Sequence, residues 1–110
     1  MNTLFCYLYR DACNYKTFNE VIIKGRLELK DLTPYLHEET YFIPSEVGLE
    51  DLQGDLFSTD DHIWHEIDSV SATDDPVTND IDAHVFIEMF HNLSKKCWNE
   101  YDVFKRKGLI

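Results

Sequence analysis

The sequence predicts an α+β domain, residues 1–110 as one unit: a small antiparallel sheet, made of an N-terminal hairpin and a third strand, packed against two short helices and one long C-terminal helix. Three observations predict it. Two alternating apolar runs near the N-terminus flank a polar turn, a third run rich in β-branched and aromatic residues starts near His62, and a helical-period run follows Asp80. A chain of 110 residues is near the commonest size for a single core.

In TLFCYLYR, residues 3–10, Leu4, Cys6 and Leu8 occupy one face of a strand while Phe5, Tyr7 and Tyr9 occupy the other. Asp11 to Thr17 is polar, with turn chemistry around Asn14. In FNEVIIKGRLEL, Val21, Ile23, Leu27 and Leu29 then alternate with charged residues, which makes the pair an antiparallel hairpin. Gly25 inside that second run suggests a bulge or a close backbone approach. KDLTPYLHEE offers Asp31 or Thr33 as a cap and Pro34 in a first turn, predicting a short helix. Tyr41, Phe42 and Ile43 form an apolar patch before Pro44. Leu49, Leu52 and Leu56 then lie at helical spacing, predicting a second short helix that Gly54 ends. HIWHEIDSVSA reads as the third strand, with Ile63 and Ile67 on one parity and Trp64 and Val70 on the other. The segment from Thr73 to Asn79 caps the long helix, with Asp80 and Asp82 in its first turn, where the helix dipole favours them. Its apolar stripe is Ile81, Val85, Met89, Leu93 and Cys97, flanked by Phe86, Phe90 and Trp98.

Charge is distributed unevenly along these elements. From Asp31 to Ser94 there is no Lys or Arg, yet the stretch carries 16 of the 21 acidic residues of a chain with net charge −11. A surface of one sign attracts the opposite sign and repels nucleic acid and anionic membrane. The 44% hydrophobic and 14% aromatic content places that charge on a foldable chain rather than on a disordered tail.

The first residues lack a basic leader and a cleavage site, no apolar run approaches a membrane span, and the chain is expected to be soluble and cytoplasmic. Cys6, Cys13 and Cys97 are odd in number and irregularly spaced, so reduced thiols are expected rather than a disulfide framework or a zinc ribbon. Cys6 and Cys97 fall on predicted core faces, while Cys13 lies in the turn near Arg10 and Lys16. No phosphate-cradling glycine loop, dinucleotide fingerprint or serine elbow is present. No cofactor is expected.

Two constellations could carry chemistry. His62, His65, Glu66 and Asp68 gather possible metal ligands and acid–base groups, and on a strand His62, Glu66 and Asp68 share a face. His84, Glu88 and His91 lie at i, i+4 and i+7 of the long helix, although a solvated polar face explains them as well. Neither Asp51 to His62 nor Asp74 to Val85 supplies the ligand spacing of a calcium-binding loop. No metal site is therefore assigned. The acidic residues Asp51, Asp55, Asp60, Asp61, Asp74 and Asp75 instead repel one another unless a basic partner covers them, and Tyr15 is the aromatic placed to anchor that contact.

The segments YRDACNYK (9–16), YFIPSEVGLEDLQ (41–53) and DHIWHEID (61–68) resemble those of a family of small uncharacterised bacterial proteins with Y-R-D-x-x-N-Y-K, F-I-P-x-x-V-G-L and D-H-x-W-H-E segments. The resemblance implies a compact α+β domain and brings no activity with it. It singles out Arg10, Asp11, Asn14, Tyr15, Lys16, His62, His65 and Glu66. The acidic middle and the basic Lys105 to Lys107 lie outside its pattern.

Two functional expectations follow. The first is a non-enzymatic interaction module, monomeric or homodimeric, that docks on a basic protein surface, including one that ordinarily binds nucleic acid. Small phage-type inhibitors and DNA mimics are similar in size and charge. The alternative is a small metal-dependent or acid–base enzyme using Arg10, Asp11, His62, His65 and Glu66.

Overall fold

Thr3, Phe5, Tyr7 and Tyr9 all turn to one side of the first strand and are buried, so this face of the sheet carries the core. The structure is a computed structural model that describes residues 1–11, 13–52, 62–99, 101–102 and 105. Strand β1 (Asn2–Arg10) pairs antiparallel with β2 (Lys16–Ile23) on one side and with β4 (His65–Thr73) on the other. A two-residue strand β3 (Tyr41–Phe42) completes the order β2-β1-β4-β3. Within the apolar patch Tyr41, Phe42 and Ile43, two residues are too few to show a period in sequence; pairing with Glu66 and His65 makes Tyr41 and Phe42 a strand.

Helix α1 (Ala83–Ser94) lies on the core face, where the ring of Phe86 meets that of Phe5 edge-on at 5.2 Å. Phe42, Phe90 and Trp98 extend the aromatic contacts. Trp98 adopts a left-handed φ of 61° and is 1% exposed, and its indole N–H donates to Tyr35 C=O at 2.9 Å. The buried ring and that hydrogen bond offset the backbone strain.

The structure corrects several sequence expectations. The second strand stops at Ile23, short of Leu29, because Gly25 takes φ 89°. A Cβ at Gly25 would meet that of Ala83 at 3.5 Å, which is the close approach its position suggested. Beside it, Lys24 N–H donates to Ile81 C=O and Ala83 N–H to Lys24 C=O, tying the helix start to the end of β2. The first short helix resolves into two 3-10 turns, Leu29–Asp31 and Thr33–Tyr35; the first is capped reciprocally by Glu28 and Asp31. A 3-10 turn, Pro44–Val47, ended by Gly48 at φ 79°, follows the apolar patch, and Gly54 and Leu56 of the expected second short helix lie outside the described residues.

Asp82 is the N-cap of α1, its carboxylate accepting from His84 N–H at 2.9 Å, so the helix begins later than Asp80. Its buried residues are Ala83, Phe86 and Phe90, whereas Val85 is 48% exposed and Cys97 is exposed. The stripe is thus rotated toward the larger rings, which fill more of the space above Phe5 than Val85 would. Cys6 points to the face opposite the core and is half-buried, so neither Cys6 nor Cys97 is a core residue. All three thiols are free.

A register shift opposite Cys6 and Tyr7 breaks the simple parity of β4. Consequently Val70 and His65 both pair with core-face positions of β1, and His62 precedes the strand instead of sharing a face with Glu66 and Asp68.

Tyr7 shows how polar groups are accommodated in this core. Its ring is fully buried, its hydroxyl donates to Glu50 C=O at 2.6 Å and it accepts from Asn19 Nδ2 at 3.1 Å. Burial raises the phenol above its ordinary value of 10.0, with the Glu50 and Asp51 charges adding to the rise and the Asn19 hydrogen bond opposing it. A raised folded value means that the contribution is complete below about pH 10 and is lost as pH climbs through the folded value. Tyr7→Phe should cost about 1–2 kcal/mol at pH 7 through the orphaned Glu50 carbonyl and Asn19 amide. In urea titrations the gap between the wild type and Y7F should then narrow above about pH 10.

Candidate functional site

The three segments that stand out in the sequence meet at one corner of the sheet. The Arg10–Lys16 turn is built by Asp11, whose carboxylate accepts from Cys13 N–H at 2.9 Å and Tyr15 N–H at 2.8 Å. Asn14 sits at φ 63°, a conformation that Asn tolerates, and donates its N–H to Asp11 C=O at 2.9 Å. Arg10 then spans the corner: Nη1 donates to Asn14 Oδ1 at 2.6 Å and Nε to Glu66 Oε2 at 3.0 Å. The pair is partly exposed, which limits its value to about 1 kcal/mol or less. Its geometry fixes the turn against the start of β4.

His62 and His65 lie on either side of this contact. The Nε2 of His62 faces Arg10 C=O at 2.9 Å while its Nδ1 accepts from Trp64 N–H at 3.0 Å, the pattern of the Nε2–H tautomer. Tyr9 stacks obliquely on His62 at 5.2 Å, and its hydroxyl accepts from His62 N–H at 3.3 Å. His65 has the opposite tautomer: Nε2 accepts from Leu52 N–H at 2.9 Å and Nδ1–H donates to Ile63 C=O at 3.0 Å. It is fully buried among Tyr7, Tyr9 and Phe42. Both ring nitrogens of each histidine are therefore engaged by the main chain.

Next to this corner, Tyr41, His62 and Trp64 line a shallow cavity of about 200 Å³. His37 stacks on Trp64 with ring centroids 4.2 Å apart and planes 7° from parallel. This stack has no sequence signature, since its two residues lie far apart along the chain.

The structure brings Arg10, Asp11, His62, His65 and Glu66 into one neighbourhood, with Arg10 the hub of three of the contacts. Of the carboxylates expected to bind a partner, Asp51, Asp74 and Asp75 are among the described residues. Asp51 accepts from Ser45 N–H at 3.1 Å, while Asp74 and Asp75 are exposed just after β4. Asp75 donates its N–H to Thr73 Oγ1, and its carbonyl accepts from Asn2 Nδ2. Asp55, Asp60 and Asp61 lie outside the described residues. Tyr15 is 77% exposed.

On α1, His84, Glu88 and His91 line a cavity of about 390 Å³ with Tyr35 and Ile87, and His91 stacks on Tyr35 at 4.8 Å. Among the described residues no three His, Cys, Asp or Glu side chains form a set that could hold a metal ion. Nor, among them, is any helix long and apolar enough to cross a membrane.

No family model, no curated protein and no solved structure matches this chain.

Proposed function

We propose that this protein is an acidic interaction module that docks on a basic protein surface, with a groove that ordinarily binds nucleic acid as the best fit. The observation that carries the reading is the exposure of the carboxylates in the cation-free stretch: Glu38, Glu39, Glu50, Asp68, Asp74, Asp75, Asp80 and Glu88 all face solvent. The hydrogen-bonding of His62 and His65 also supports it over the enzymatic alternative, because a general base or a metal ligand needs a ring nitrogen that is not already committed.

Association would be steered by charge and would weaken with salt, with Tyr15 as an aromatic anchor beside the hairpin turn. Asp74 and Asp75 are suitable probes, since both side chains are exposed and the hydrogen bonds of Asp75 run through its main chain. In surface-immobilised binding to a panel of basic nucleic-acid-binding proteins, D74N/D75N should slow association about threefold at low salt and leave dissociation nearly unchanged. An unchanged association rate with a partner that the wild type binds would remove these two residues from the docking surface.

A further inference from the structure

We propose that the outer edge of β2 pairs with the same edge of a second copy of this chain, joining two four-stranded sheets into one. In β2, Thr17, Asn19, Val21 and Ile23 pair with the core-face residues of β1, and the even positions alternate with them. Ile22 shows where those even positions point: its N–H donates to Thr78 Oγ1 at 2.8 Å, and its carbonyl accepts from Thr78 and Asn79 N–H. By the alternation of an antiparallel strand, Lys16, Phe18 and Glu20 direct their N–H and C=O groups to the same outer side. Among the described residues nothing pairs with that part of the edge. The Thr78–Asn79 segment stops the ladder at Ile22, and the hairpin turn stops it at Tyr15.

Side chains on this edge identify the occupant. Phe18 is 58% exposed, opposite Leu8 of β1, and a cavity of about 350 Å³ beside it is lined by Cys6, Asn19, Glu20 and Asp68. An edge protected by charges of one sign would repel its own copy. Here Lys16 and Glu20 flank Phe18 symmetrically, two residues to either side. With Phe18 on a two-fold axis, Lys16 of each copy stands opposite Glu20 of the other, and the two Phe18 rings meet on one face. Each opposed pair is then of the type that exchanges both main-chain hydrogen bonds. Opposite charges directly across a ladder stabilise it, and like charges destabilise it.

The test is the oligomeric state of the full chain in reductant, followed by light scattering and sedimentation across micromolar to millimolar concentration. The wild type should form a dimer of twice 13.0 kDa that strengthens with moderate salt, since each copy carries −11. Phe18→Pro removes an outward N–H and the exposed ring at an edge position that tolerates proline, and should give a monomer; Phe18→Ser, which leaves φ free, should weaken the dimer while melting as the wild-type monomer does. K16E and E20K should each weaken the dimer about tenfold, and K16E/E20K should restore it.

E20K separates this pairing from general charge, because it lowers the net negative charge and on that ground alone would strengthen association. A wild type that stays monomeric throughout, a Phe18→Pro variant that still dimerises, or an E20K dimer tighter than the wild type would each overturn the proposal.

Discussion

Phe5→Ala should destabilise the protein by about 3–5 kcal/mol, the range for truncating a buried phenylalanine. Phe5 lies on the central strand and is fully buried, and its ring meets those of Tyr7, Phe42 and Phe86 at 5.9, 5.9 and 5.2 Å. It therefore joins β1, β3 and α1, and its removal leaves a cavity where three elements converge. Since a domain of this size has about 5–15 kcal/mol in all, the loss is a large share of its stability. Thermal unfolding by circular dichroism should show a midpoint lower by roughly 15 °C or more. Phe18→Ala, on the same sheet but the opposite face, should shift stability by less than about 0.5 kcal/mol when measured on dilute protein. Equal effects at the two positions would mean that the faces have been assigned wrongly.

His65→Leu should cost about 2–4 kcal/mol despite keeping a similar volume, because the loss is polar. Leu52 N–H loses its acceptor at a part-buried site and Ile63 C=O its donor at a buried one, and each orphaned group costs about 1–3 kcal/mol. Because the Leu52 N–H bonds to His65, its loss should also raise hydrogen exchange at Leu52 before the sheet opens globally. This outcome separates the two roles open to the histidine. A residue serving chemistry alone would be replaced with little loss of stability, and a residue holding Leu52 to β4 would not. Stability within 0.5 kcal/mol of the wild type would show that the two main-chain bonds do not hold this corner.

Much of the fold was legible because β1 and β2 carry a clean period of two. The odd residues Phe5, Tyr7 and Tyr9 were separable from Leu4, Cys6 and Leu8 by parity, and the structure buries the odd set, with Leu8 the one even residue buried beside it. The turn was legible for the same local reason, since Asp11 and Asn14 satisfy it within a few residues. What failed depended on tertiary partners. Residues Ile81 to Trp98 are apolar on more than one side, so which stripe is buried was decided by the Phe5 ring and by the approach of Ala83 to Gly25. The positive φ of Gly48, under the Ile81 side chain, is a property of packing.

The polar corner was partly legible. Its residues could be chosen by type, but the bridge from Arg10 to Glu66 crosses 56 positions of sequence, and the register shift in β4 that sets their relation leaves no trace in composition. The tautomers of His62 and His65 follow from main-chain partners that no spacing rule encodes. The unpaired stretch of β2 likewise needed the placement of Thr78 before its limits could be drawn.

The most direct test of the docking account is displacement of a fluorescent oligonucleotide from a panel of basic DNA- and RNA-binding proteins, read by anisotropy over a series of salt concentrations. The account predicts that the protein displaces the oligonucleotide from at least one of them at low salt, and that its affinity falls steadily with the logarithm of salt. Failure to displace from any of them at low salt, or displacement that salt does not alter, would contradict it.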